Sequence, residues 1–393
     1  MHNNPMTNLP GPYQAAPPFP PVRPSGNRGA FKWMLIITGM LLALLLGLLL
    51  LLLIGSETGV VPLLIGMVCA TLPVPVYIML LLWIDRYEAE PKWMLATAFL
   101  WGALGAVFIA FIINTAGAIM VAILTHNREM AEAAGAVVFA PVVEESAKAL
   151  ILFILFFWRK DEFDGILDGI VYAGMVGLGF AMTENIQYYG KALLHNGGAG
   201  LTGTIILRGI FAPFSHPLFT SMTGIGLGWA RQTNNSFIKW TMPVIGLCVA
   251  MSMHAIWNGS PTFFGGGGFL VMYFLLMAPI FLIAMPLVIF LALKREGGVV
   301  REHLLCDFQR GLFTPEEYNR LCSVRGRIGS SYQALTRGGI ETWRTRMQYN
   351  QAASELAFHR SRVARGILTD EGSARAQEAA YLQLLQDLRK RLG

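Results

Sequence analysis

Charge is scarce in this chain. Only 14% of its 393 residues are Asp, Glu, Lys or Arg, where a soluble domain carries about 25%. That excludes an ordinary soluble domain as the whole, and the 54% of hydrophobic residues points to the bilayer. Cysteine is sparse too. Cys69, Cys248, Cys306 and Cys322 are scattered with no CxxC, so neither a disulfide framework nor a cysteine zinc site is signalled. Several hydrolase signatures are missing. There is no HExxH, which excludes a site-2-type metalloprotease, although Leu167-Asp168-Gly169 mimics the second motif of that class. Nor is there a GxGD of aspartyl intramembrane proteases, a serine in a rhomboid-like GxS setting, or a Walker A sequence.

What is present is a series of long apolar runs. They predict an all-α, polytopic membrane helix bundle of about eight spans, near 31–54, 60–84, 93–124, 137–157, 165–189, 204–230, 240–258 and 268–293. Residues 1–30, with Pro17-Pro18-Phe19-Pro20-Pro21, read as a disordered Pro-rich arm. The uncharged run from Trp33 to Ile54 is too long for a signal-peptide core. Residues 31–293 form the membrane body. Residues 294–393 read as a small, helical, basic tail in which Thr314-Pro315-Glu316-Glu317 is a helix start, echoed by Thr369-Asp370-Glu371.

The net charge of +6 sits entirely in that tail, which holds 17 Lys and Arg against 11 Asp and Glu. A mildly basic tail without a binding motif suits an anionic leaflet better than nucleic acid. It also leaves room for a cytoplasmic partner or self-association. Lys and Arg cluster in alternate loops: Arg23, Arg28 and Lys32, then Arg86 and Lys92, Arg159 and Lys160, Arg231 and Lys239. The bias predicts a multi-pass protein of the cell membrane with both termini cytoplasmic.

Against this apolar background a few polar groups stand out. Glu144 and Glu145 adjoin each other and Lys148 follows four residues after Glu144, on the same helical face. Ionised groups at such depth cost about 2.5–3.5 kcal/mol each on insertion scales and persist where they pair or work. Two adjacent carboxylates can divide labour, one as a base and the other as a binder. Which of the two is the base stays open, and a structural Glu–Lys ion pair is the plain alternative. Glu184-Asn185 closes a segment rich in Gly174, Gly177 and Gly179, which allow close helix approach. His216 stands beside Pro217 in a segment that also carries Arg208, and His254 and Asn258 share a face four residues apart. With cytoplasmic termini, Glu144, Glu184 and His254 lie about 10, 8 and 6 Å below the outer face at 1.5 Å per residue, and His216 about 9–18 Å below it. Elements far apart in sequence thus converge on one leaflet.

These motifs together resemble the PrsW family of intramembrane proteases, within the wider superfamily of CAAX-processing and bacteriocin-processing enzymes. Asp85-Arg-Tyr87-Glu88-Ala-Glu90-Pro91 is similar to its acidic loop, and Glu144-Glu145-Ser-Ala-Lys148 to its EExxK. Phe163-Asp164-Gly165 through Glu184-Asn185 is similar to its glycine-rich motif, and His216 and His254-Ala-Ile-Trp-Asn258 to its histidine motifs. The resemblance covers about residues 75–295. It implies hydrolysis of peptide bonds in membrane-anchored proteins, anti-sigma factors among them, by a mechanism described both as glutamate-dependent and as metal-dependent. Two His with a Glu could hold zinc, with Glu184, His216 and His254 as the candidate ligands.

The sequence therefore reads as an integral membrane endopeptidase. In it Glu144 or Glu145 activates water, Glu184 and His216 help bind water or metal, and His254 and Asn258 stabilise the oxyanion. Lys148, Asn185 and Arg208 support them. A proton-coupled transporter with Glu145, Glu184 and His254 as a relay is the alternative, and a non-catalytic scaffold a third. Clustering at one face disfavours the relay, since Asp168 alone could continue it.

Overall fold

The computed structural model describes residues 28–368 and 370–392. The Pro-rich arm up to residue 27, with Arg23, and the expected cap Thr369 lie outside the described residues. The chain divides into two compact units, residues 1–44 and 45–393. The described part of the first unit is helical and opens α1 (Arg28–Thr58). All later helices belong to the second unit.

The fold is helical throughout, with no strand among the described residues. The order is α2 (Val60–Thr71), α3 (Val74–Ile84), α4 (Lys92–Leu100), α5 (Val107–Thr125), α6 (Arg128–Ala134), α7 (Ala140–Trp158), α8 (Ile166–Ile205), α9 (Ser215–Gln232), α10 (Ser236–Met272), α11 (Met285–His303), α12 (Leu305–Gln309), α13 (Pro315–Leu321), α14 (Val324–Ala364) and α15 (Glu371–Leu392). Single π-helical turns join α4 to α5, α6 to α7 and α8 to the loop before α9.

All eight expected spans fall on largely helical backbone. Five continuous stretches are long and apolar enough to cross a membrane: Thr38–Thr58, Val60–Ile84, Lys92–Thr125, Ile166–Gln232 and Ser236–His303. The last two, of 67 and 68 residues, far exceed the roughly 20 residues of one crossing. They are bent where Gly197 and Gly265 take positive φ of 63° and 64°. The stretch with Glu144, Glu145 and Lys148 is not among the five; it is apolar but carries these three charged residues within one span length.

Helices α2, α3, α4 and α9 pack around α8. In the stretch from Ile166 to Gln232 the most apolar window is 89% buried, against 11–17% in the other four stretches. So α8 and α9 form the interior, and the outer helices turn leucines, isoleucines and phenylalanines outward. Glycine makes this closeness available. A Cβ on Gly179 would lie 2.1 Å from the Phe99 carbonyl, and one on Gly177 2.6 Å from the Pro217 nitrogen. The second contact presses the start of α9, and with it His216, against α8.

The expected boundary at 293/294 falls inside α11. One apolar core joins Tyr87 and Leu167 of the body to Leu293, Val300, Leu304, Phe313, Tyr318, Leu356 and Ala357. Polar contacts reinforce the join. Arg362 pairs with Glu88 and Arg365 with Asp164. Arg327 lies 4.4 Å from the centre of the Tyr87 ring and donates to Ser354 Oγ (2.5 Å) and the Asn350 carbonyl (2.7 Å). Burial pulls the Arg327 guanidinium down to about 10. In the acidic loop, burial and then the neighbouring carboxylates Asp168 and Asp85 push Glu90 well above the ordinary carboxylate range. Within the tail Thr314 Oγ1 accepts from the Glu317 amide at 3.2 Å and Glu317 accepts from the Thr314 amide at 2.9 Å, the expected reciprocal cap. Gly311 and Gly366 both take positive φ, 79° and 70°, where the chain leaves a helix.

Candidate active site

Four helices bring the predicted polar groups together. From α7 come Glu144, Glu145 and Lys148; from α8, Glu184; from the start of α9, His216; from α10, His254. The i, i+4 spacing of Glu144 and Lys148 turns both into the interior, where the Lys148 side chain has no solvent exposure.

Lys148 is the hub. Its Nζ donates to Glu145 Oε1 at 2.8 Å, to Glu144 Oε2 at 3.4 Å and to His216 Nδ1 at 3.0 Å, and it lies 3.7 Å from the centre of the Phe180 ring. An ammonium has three protons and no lone pair, so all its donors are used. It compensates two carboxylates that would otherwise repel at close range.

The two glutamates differ sharply. Glu145 is fully buried and both its oxygens are engaged: Oε1 by Lys148 and His254 Nδ1 (3.0 Å), Oε2 by Thr220 Oγ1 (3.0 Å). Glu144 is held by longer contacts, to Lys148 at 3.4 Å, Asn114 Nδ2 at 3.4 Å and His254 Nε2 at 3.8 Å. Its side chain keeps 8% exposure. Glu145 is therefore fully engaged by its neighbours, and Glu144 is the less tightly held of the two.

The partners assign the histidine tautomers. Lys148 can only donate, so His216 Nδ1 accepts, and His216 Nε2–H donates to Glu184 Oε2 at 2.8 Å. Glu184 also receives Arg208, whose Nε donates to Asn185 Oδ1 at 2.6 Å and whose guanidinium stacks over Tyr188. His254 gives its Nδ1–H to Glu145, which leaves the Nε2 lone pair facing Glu144 Oε2. Two electron-rich atoms 3.8 Å apart favour a proton, a water or a cation between them. Phe219 stacks on His254 with ring centres 5.3 Å apart and closes the far wall.

The donor atoms of Glu144, His216 and His254 all lie within 4.8 Å of one another. The set fits a metal by donor type, since two histidines and a glutamate are a known zinc combination. It fits also by surroundings, since each histidine gives its other nitrogen to a carboxylate, Glu145 or Glu184. With Glu184 on Nε2, the metal-facing atom of His216 would be Nδ1, where the Lys148 ammonium now sits, so ion and ammonium would compete for it. Glu184, expected as a ligand, is instead bound up with Arg208 and His216. Asn258, expected at the oxyanion, gives its amide to the Ala136 carbonyl at 2.9 Å. Asp168 caps α8, its Oδ2 accepting the Asp164 and Gly165 amides at 2.8 and 2.6 Å, a role that accounts for its burial without a proton relay.

Sequence reasoning passed over Asn114, Thr220 and Phe180. Asn114 carried a signal, as the one amide in the apolar run of α5. Thr220 and Phe180 carried none, because a threonine or phenylalanine in such a helix is ordinary.

Comparison with known proteins identifies similar membrane proteases. The family model described as PrsW family intramembrane metalloprotease matches residues 90–284. The curated protein "Protease PrsW" of Geobacillus kaustophilus is 35% identical over 150 residues, 37% of this chain and 58% of that protein. The protein of the same name from Oceanobacillus iheyensis is 31% identical over 169 residues, 43% of this chain and 70% of that protein. That of Bacillus subtilis is 27% identical over 183 residues, 44% of this chain and 72% of that protein. The chain thus spans less than two thirds of the first of these relatives. No solved structure matches it.

Proposed function

Because the chain belongs to the PrsW family of intramembrane metalloproteases, we propose that it is a multi-pass endopeptidase cutting membrane-anchored proteins near the outer leaflet. Both termini face the cytoplasm in this reading, and anti-sigma factors are one substrate class. The observation that carries it is the buried cluster of Glu144, Glu145, Lys148, Glu184, His216 and His254, drawn from four helices and bonded into one network.

In this mechanism Glu144 is the general base. It has the loosest contacts and the exposed edge, so it can take a proton from water as the oxygen adds to the scissile carbonyl, then return it to the leaving amine. Glu145 holds His254 and Lys148 in place. Arg208 and Glu184 fix His216. Lys148 places one positive charge against both carboxylates. Asn258 sits one turn beyond His254 and would serve the oxyanion on releasing Ala136. His216 and His254 with one oxygen of Glu144 would hold a divalent ion, leaving the other Glu144 oxygen as the base; the ion would supply acidified water and a polarised carbonyl.

The test is hydrolysis by purified protein of a panel of single-span membrane peptides. Cleavage within or beside the span by the wild type, lost in Glu144→Gln, supports the reading. A protein that cuts none of them, while its spans bind and move protons, would favour transport.

A further inference from the structure

Asn114 is unlike its surroundings. It lies in the middle of α5, a helix of otherwise apolar side chains and two threonines, and it is half-buried. Polar groups inside a membrane helix are costly and persist where they pair or work. Its Nδ2 donates to Glu144 Oε1 at 3.4 Å. With Glu144 ionised as the base, the amide keeps its NH₂ toward it, because the turned amide would set its carbonyl against a carboxylate oxygen. With the NH₂ end so fixed, Oδ1 is buried and has no partner among the described residues. A buried acceptor left unmatched calls for an explanation. An asparagine placed there to join helices would use both ends; this one uses only the end on Glu144.

We propose that Asn114 is a substrate-positioning residue: Nδ2 holds Glu144, and Oδ1 accepts a backbone N–H of the polypeptide being cut. The proposal rests on the protease reading above. The acceptor belongs to the same amide that touches the base. At about 3.4 Å per residue of extended chain, the N–H it takes lies within roughly two residues of the scissile bond. A main-chain contact of this kind aligns the carbonyl with the base and is indifferent to side-chain sequence.

The experiment is a cycle between protein and substrate. A single-span peptide that the wild type cuts is remade with one ester in place of one amide, at each bond within two residues of the cleavage point. Each ester removes a single N–H. kcat/KM is measured for wild type, Asn114→Leu and Asn114→Ala, with melting temperature as a control for folding. Leu keeps the bulk in an apolar helix; Ala guards against a steric fault of Leu. The expected result is that one ester position costs the wild type about tenfold and costs neither variant a comparable factor. If every ester costs wild type and variants alike, the proposal is overturned while the protease reading stands. If the wild type cuts no peptide, the protease reading falls and takes the proposal with it.

Discussion

Exchange of each glutamate for glutamine separates the two carboxylates. Glu145 accepts from Lys148, His254 and Thr220 at 2.8, 3.0 and 3.0 Å and is wholly buried. Removing one member of a buried ion pair costs about 3–5 kcal/mol. Glu145→Gln keeps a neutral acceptor, and Lys148 keeps Glu144, so the low end applies. Glu144 has contacts of 3.4, 3.4 and 3.8 Å, long for hydrogen bonds, and Glu144→Gln should cost only about 1 kcal/mol. Activity should order the other way. Glu144→Gln removes the base and should lower turnover roughly 10²-fold or more. Glu145→Gln, acting through His254, should lower it about 10–100-fold, as outer-shell changes do. The assay is thermal unfolding in detergent beside turnover on one single-span substrate at a temperature where all variants are folded. A Glu144→Gln protein that turns over at the wild-type rate, or a Glu145→Gln protein as stable as wild type, would refute this division of roles.

Three further outcomes are expected. Truncation after Arg295 should destabilise the body, since it bares Tyr87 and Leu167 and leaves Glu88 and Asp164 without Arg362 and Arg365; each large apolar side chain contributes about 1.5–3 kcal/mol, and an unchanged melting temperature would count against the joint core. Glu90 has its pKa raised by burial and nearby carboxylates, so the folded state holds its proton more tightly than the unfolded one; its stabilising effect is complete below the ordinary range near about 4.3 and is lost as pH rises through the raised value. Melting temperature should therefore fall with rising pH above that range, and Glu90→Gln should reduce the fall. Elemental analysis of purified protein should find roughly one zinc per chain, as a catalytic set of three protein ligands with an open position holds, and His216→Ala and His254→Ala should each lose it; equal metal content in all three would move the ion elsewhere.

Most of the helices were legible because apolar runs of span length announce themselves, and the EExxK and histidine motifs named Glu144, Glu145, Lys148, His216 and His254. Their convergence was legible too, through the depth argument. What escaped was pairwise geometry. Nothing in the sequence separates Glu144 from Glu145, because their difference lies in Thr220 and His254, on other helices. The same holds for Glu184, whose partner Arg208 lies 24 residues on beyond the bend at Gly197. The tail reads as a separate piece because composition changes at residue 294, yet α11 runs straight through that point and carries apolar residues into a shared core. Composition marks solvent and lipid; it does not mark which surfaces meet.

The central claim is that this cluster adds water to a peptide bond inside the membrane. The direct measurement is mass spectrometry of a single-span peptide incubated with the purified protein in nanodiscs made up in ¹⁸O-labelled water. The account predicts two fragments from one internal cut, a single heavy oxygen in the new carboxylate, and neither product from the Glu144→Gln protein. An intact peptide with the wild type, or labelled fragments with Glu144→Gln at the same rate, would contradict it.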